Sequence, residues 1–430
     1  MSKPIRALIN ARLLDPATNT DTQGGVLIEK GKILDWGAHI KKGNIPDGAK
    51  VEDCKGYCLA PGLVDAHAYL CEPGKEHRET MATAGMAAAA GGVTTINAFP
   101  ATEPVLDDPA IVEMVRRRAK TTCAVKVCIT GALTKGLNGS EMAEFGLLAD
   151  AGAVAFSDGQ FAIRDINLMR RALAYSSMFD RPVIVHAEDP GLAAGGVMTG
   201  GRTATFMGLK SVPTCAEAIL VERDIRLVKM TGARWHAAHL STRDALDTMR
   251  RAKNDGLSVT AGTAPHYHAL NDLELGEYRT FARVSPPLRE EEERLAVIEG
   301  IKDGTIDVIS SQHLPQSADS KRVPFAQAKP GVIGLETMLP VSLRLYHNGD
   351  VDLLRLLHTM TVAPAKLLGL EAGAIKTGAD ADLFIFDTEK PWQVNGDELL
   401  SKSKNTAFDG HLLQGRVLKT FVRGKSVFEL

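Results

Sequence analysis

Eight short apolar runs alternate with amphipathic stretches through the middle of this chain, and that alternation limits its possible folds more than any other feature. The runs cover residues 63–67, 94–98, 124–130, 154–157, 182–186, 234–239, 257–263 and 307–311. Between them lie helical patterns, such as the one over residues 166–175. Repeated strand–helix alternation of this kind predicts an α/β fold, a parallel (β/α)8 barrel. The two ends read differently. Residues 7–9, 25–29 and 32–35, and then 381–387, 416–422 and 426–428, form strand-like runs with Gly, Asp and Asn between those near the start. The economical expectation is one small β-sandwich built from residues 1–58 and 366–430, with the barrel over residues 59–365.

Composition narrows the class. Of 430 residues, 44% are apolar and 24% charged, with a formal net charge of −2. That is ordinary soluble composition. Without a basic excess, neither nucleic acid nor an anionic membrane is an expected partner. No apolar run approaches the roughly 18 residues of a membrane span, and Met1-Ser2-Lys3-Pro4 lacks the apolar core of a signal peptide. Six cysteines without a C-x-x-C pair read as reduced thiols, so the expected compartment is the cytoplasm.

The candidate chemistry falls at the ends of the runs, where a parallel barrel carries its active site. After the first run stands Asp65-Ala66-His67-Ala68-Tyr69. An Asp-x-His-x-His sequence would put two imidazoles on one side of the strand, able to share a metal. Here the second is Tyr69. Asp158 follows the fourth run, His186 ends the fifth, His239 ends the sixth, and Gln312-His313 follows the eighth. Imidazoles and a carboxylate on one rim form a ligand set for zinc, which activates water and polarises carbonyls. The plainer reading is that Asp65, Asp158 and His67 hydrogen-bond strand ends, as any buried polar group must find partners.

Longer motifs carry a resemblance. Pro61-Gly62-Leu63-Val64-Asp65, with segments 72–80, 88–94, 284–289, 303–309, 330–337 and 403–410, is similar to the class I dihydroorotases of the amidohydrolase superfamily, almost end to end. The resemblance implies hydrolysis and formation of the cyclic amide of dihydroorotate in pyrimidine synthesis. It also implies a binuclear metal site and an acid–base aspartate after the eighth strand. Carried over by position, His67 is the first histidine of the family's pair and Tyr69 replaces the second. Cys71 replaces the arginine that grips the substrate carboxylate. Ala101 and Ser285 replace substrate-binding asparagines. The family's Asp-Asp-Gly is reduced to Asp158-Gly159, and which aspartate survives is open. His186 and His239 are kept. Gln312 replaces the catalytic aspartate, Gln316 replaces a substrate-contacting histidine, and His313 remains beside them.

These departures have chemical costs. A phenol with a pKa near ~10 is a poor ligand at neutral pH. An amide at position 312 cannot take a proton, and general acid–base catalysis alone contributes roughly 10²–10⁴ in rate. Cys71 cannot form arginine's bidentate fork. Losses spread over metal, acid–base and substrate roles point to a pseudoenzyme resembling the non-catalytic dihydroorotase-like subunits that scaffold aspartate transcarbamoylase. The expectation is therefore a homo- or hetero-oligomer holding at most one zinc, at His67, His186, His239 and Asp158, or none. Two alternatives stand beside it: an active zinc-dependent dihydroorotase or cyclic amidohydrolase with an atypical metal site, and a silent metabolite-binding module.

Overall fold

The computed structural model describes residues 5–430, so the N-terminal reading on Met1–Pro4 lies outside the described residues. All eight apolar runs form strands: Leu63–Ala68, Val93–Ala98, Lys126–Ala132, Ala153–Ser157, Val183–Val185, Trp235–Ala237, Val259–Thr263 and Val308–Ile309. They pair side by side in chain order. Every register between neighbours is parallel. A parallel bridge between Ala68 and His313 brings the first strand against the segment after the eighth, so the barrel nearly closes.

Local sequence explains the crossovers. The helix Met81–Ala90 is capped by Thr80, whose side chain and that of Thr83 satisfy each other's backbone N–H groups. The turn at Gly91 and Gly92 then leads directly into the second strand; a Cβ at Gly91 would collide with the Leu335 carbonyl oxygen, and Gly92 has a positive φ. The helix Ile166–Ser176 starts at Asp165, which accepts from the N–H groups of Asn167 and Leu168. Its Leu168, Met169, Ala172 and Leu173 are buried against the barrel, as their spacing requires.

The two termini meet in one eight-stranded mixed sheet. Arg6–Asp15, Thr20–Glu29 and Lys32–Gly37 come from the start, and Leu383–Gln393, Leu412–Val422 and Lys425–Glu429 from the end. Cys58–Pro61 joins the halves, parallel to the first strand and antiparallel to Leu383–Gln393. That strand belongs to the terminal sheet, so the barrel strands begin at Leu63 rather than at residue 59. A separate apolar cluster contains Leu8, Leu13, Val26, Ile33, Leu383 and Phe421, drawn from both ends of the chain. Among the described residues, no helix is long and apolar enough to cross a membrane. All six cysteines are free.

Candidate active site

Asp65 and Asp158, flagged by sequence at strand ends, hold those ends in place. Asp65 is fully buried. Its carboxylate accepts from the Ser311 N–H at 2.9 Å and the His67 N–H at 3.3 Å, and from the Ser311 hydroxyl. It therefore ties the first strand to the eighth. Asp158 does the same between the third and fourth strands. Its Oδ1 accepts from the N–H groups of Leu133 and Thr134, each at 2.9 Å, and its Oδ2 accepts from the Thr134 hydroxyl. Burial pushes its carboxyl up to about 6 despite these donors. With both oxygens engaged by the loop, Asp158 is a poor metal ligand, which corrects its place in the expected metal set.

His67 and Tyr69 lie on one side of the strand, as period two requires, with ring centroids 5.4 Å apart. Phe99, at the end of the second strand, stacks on His67 at 3.6 Å. His239 also approaches His67, with centroids 4.2 Å apart and the rings tilted by 58°. All four side chains are 4% exposed or less, so together they close the barrel axis. Burial pushes the Tyr69 phenol above its ordinary range, further from the phenolate a metal would need. Burial likewise holds His67 and His239 well below the usual imidazole range, helped by neighbouring histidines.

Gln312 completes the closure. Its amide NH2 donates to the Ser285 carbonyl at 2.8 Å and reaches His239 Nδ1 at 3.3 Å. The carbonyl fixes which end of the amide faces this way, because an amide oxygen there would meet another oxygen. His239 Nδ1 must then accept, which places the ring proton on Nε2. A metal-binding histidine has the reverse arrangement, giving its second N–H to an acceptor and its lone pair to the metal.

The binuclear zinc site that the family resemblance implies does not fit these residues. Among the described residues, no three or more His, Cys, Asp or Glu side chains stand together in a position to hold a metal ion. The expected set of His67, His186, His239 and Asp158 is therefore not assembled as a ligand cluster.

The expected substrate pocket is also redistributed. His313 is fully buried, with Nε2 at 3.3 Å from Glu79 and Nδ1 accepting from the Gly334 N–H at 3.2 Å. Gln316 gives its amide to the Pro330 carbonyl at 2.7 Å. Cys71 is buried, and burial pushes its thiol up to about 11. Lys75 Nζ sits 3.4 Å from the Ala101 carbonyl. None of these four lines the cavity that remains at the mouth. That cavity, about 370 Å³, lies to one side, among residues including Asn138, Arg164, His186, Glu188 and Ser285.

Glu188 was missed by sequence reasoning; it lies beyond the end of the fifth strand, and a turn in which its N–H donates to the His186 carbonyl at 2.9 Å brings it beside His186. Ser285 Oγ lies 3.2 Å from His186 Nε2 and 3.3 Å from Glu188 Oε2. Burial would raise the Glu188 carboxyl, but His186, Arg289 and Ser285 outweigh it and hold it below its ordinary value. Serine and glutamate both approach the same ring nitrogen, with Glu188 Oε2 at 3.7 Å. A nucleophile relay needs them on opposite nitrogens, so this cluster does not activate Ser285. It offers hydrogen bonds to a ligand instead. Phe99 was missed too, because only its neighbour Ala101 carried a motif.

Comparison with known proteins agrees with the fold and the motifs. The family model for dihydro-orotase-like proteins matches residues 56–245. A dihydroorotase of Anaplasma phagocytophilum is 42% identical over 428 residues, covering 98% of this chain and 95% of that protein. One from Syntrophus aciditrophicus is 42% identical over 98% of this chain and 99% of its own length. One from Wolbachia of Brugia malayi is 40% identical over 98% and 95%. Among solved structures, the L-hydantoinase (dihydropyrimidinase) of Arthrobacter aurescens superposes with a TM-score of 0.89 at 26% identity, covering 100% of this chain and 96% of that one. With its barrel, its terminal sheet and this near end-to-end likeness, the chain belongs to the dihydroorotase family of pyrimidine biosynthesis, within the amidohydrolase superfamily.

Proposed function

We propose that this chain is a catalytically impaired dihydroorotase-family subunit that scaffolds aspartate transcarbamoylase. The observation that carries the impairment is the closed barrel axis. His67, Tyr69, Phe99 and His239 fill it with ring contacts, and Gln312 offers an amide where the family's chemistry needs a base. Substrate anchoring is weakened in parallel at Cys71, Ala101 and Ser285. A barrel kept after its chemistry is lost needs another use, and assembly with a pathway partner is the simplest one for this family. A specific interface would bury roughly 1,200–2,000 Å² in total. Co-expression with the transcarbamoylase, followed by size-exclusion chromatography with light scattering, tests the partner. A co-eluting complex is expected. A transcarbamoylase that elutes as its own oligomer, stable and active, would end the scaffold reading.

A second reading has its own support. Relatives 40–42% identical over nearly the whole chain carry the name dihydroorotase. This favours an active zinc-dependent dihydroorotase or cyclic amidohydrolase in which Tyr69 and Gln312 rearrange on metal loading. Zinc content and dihydroorotate turnover separate the two. The lateral cavity favours a third reading, a silent metabolite-binding module. A small molecule that stabilises the purified protein in a thermal-shift screen without being turned over would support it.

A further inference from the structure

We infer that positions 69 and 159 have exchanged volume: the phenol of Tyr69 occupies the space of a side chain at position 159, so an aromatic ring stands in the place of a carboxylate. A Cβ added at Gly159 would lie 3.0 Å from Tyr69 Oη, 3.7 Å from its Cε1 and 3.8 Å from its Cζ. These are the three nearest atoms, and all belong to Tyr69. The hydroxyl is buried without a hydrogen-bond partner, so the phenol is held by its shape rather than by a polar contact.

The neighbouring residue identifies what was lost. Asp158 spends both carboxylate oxygens on Leu133 and Thr134, which marks it as the loop-holding member of the family's aspartate pair. The position free to point elsewhere is 159, and it is now glycine. Gly159 has φ +68°, a left-handed conformation in which aspartate is among the better tolerated non-glycine residues. The backbone strain is therefore one that aspartate tolerates better than most residues, and the phenol adds to it, because Tyr69 Oη would have to give by a few tenths of an ångström. Neither Tyr69→His nor Gly159→Asp alone reopens the site. The first leaves a void with no carboxylate beside it, and the second drives a carboxylate into the phenol. This inference does not rest on the scaffold reading, and it stands or falls whether or not a partner binds.

The test is a thermal double-mutant cycle on the full chain with Gly159→Ala, Tyr69→Phe and the pair. Tyr69→Phe removes only the hydroxyl, the atom at 3.0 Å, and leaves ring carbons at ordinary contact distance. The backbone strain at φ +68° is common to both backgrounds and cancels. Gly159→Ala should lower the apparent Tm by about 2–3 °C in the parent, and the loss should be smaller by about 1 °C or more with Phe at position 69. Equal losses in the two backgrounds would overturn the exchange. If Gly159→Ala gives no soluble protein, recovery by Tyr69→Phe supports the inference and failure to recover refutes it. A second readout is zinc retained per chain after dialysis. The Tyr69→His/Gly159→Asp pair should retain clearly more than either single variant. Retention no higher than that of the better single variant would refute the assignment of the carboxylate's place to position 159.

Discussion

Around the barrel mouth, the side made by strands one, two and six with Gln312 is packed shut, while the side made by the loops after strands three, four and five, with Ser285 from the segment after strand seven, keeps a cavity of about 370 Å³. The two sides share one scaffold and one rim. The closed side holds rings in contact and an amide fixed by a backbone carbonyl. The open side holds Asn138, Arg164, His186, Glu188 and Ser285 around solvent-accessible space. Of the groups that secure the strand ends, Asp65 with Ser311 belongs to neither side, whereas Asp158, held by Thr134, also lines the open cavity. They account for how the barrel keeps its shape while one side of its mouth closes.

Removing a large side chain from each side should separate them most clearly. Phe99 is 1% exposed and stacked on His67. Phe99→Ala should cost about 3–5 kcal/mol in denaturant unfolding, the usual cost of deleting a buried aromatic ring. Phe161 lines the open cavity and is 63% exposed. Phe161→Ala should stay within about 0.5 kcal/mol. Similar costs for the two would mean that the closed side is not a packed core.

The strand-end carboxylate gives the next effect. Asp158 is held up to about 6 by burial, against an ordinary value near 3.8. A raised acid costs stability while ionised, and that cost is relieved as pH falls through its folded pKa. Asp158→Asn keeps one oxygen for the two N–H groups and removes the charge. It should stabilise the protein by about 1–3 kcal/mol at pH 7.5, with the gain shrinking between about pH 6 and pH 4. His266, buried after the seventh strand and lowered to about 3, has the opposite sign. Its contribution is complete above about pH 6.5 and is lost as pH falls below that value toward 3. A gain from Asp158→Asn that is flat across this range would place its carboxylate outside the buried loop contact.

Tyr69→Phe should be the smallest change on the closed side. It deletes a buried hydroxyl with no partner, and losing an unsatisfied polar group is neutral or stabilising by up to about 1 kcal/mol. A loss of more than that by thermal or denaturant unfolding would reveal a hydrogen bond at Oη and weaken the case that the ring is there for its volume.

Much of this fold was legible because apolar runs of strand length recur between helical patterns, and all eight became barrel strands. The meeting of the two termini was legible for the same reason. The site was only half legible. His67 and Tyr69 fell on one side of the strand because period two fixes that. The role of Asp158 was not readable, since a carboxylate at a strand end serves a metal or a loop equally well, and only the direction of its side chain decides. His313 looked like a pocket residue beside Gln312, yet its ring is enclosed by Glu79 and Gly334, which lie far away in sequence. Contact between Tyr69 and Gly159 leaves no local trace, because it depends on the packing of strand one against the loop after strand four.

The proposed loss of the family's chemistry can be checked by turnover of dihydroorotate and of carbamoyl aspartate by the purified chain, assayed with added zinc and again after chelation. No turnover above a heat-inactivated control is expected in either direction, and no gain from zinc. Robust, zinc-dependent turnover by the unmodified protein would contradict the impairment, because the barrel axis would then have to open and take up a metal with Tyr69 and Gln312 in place.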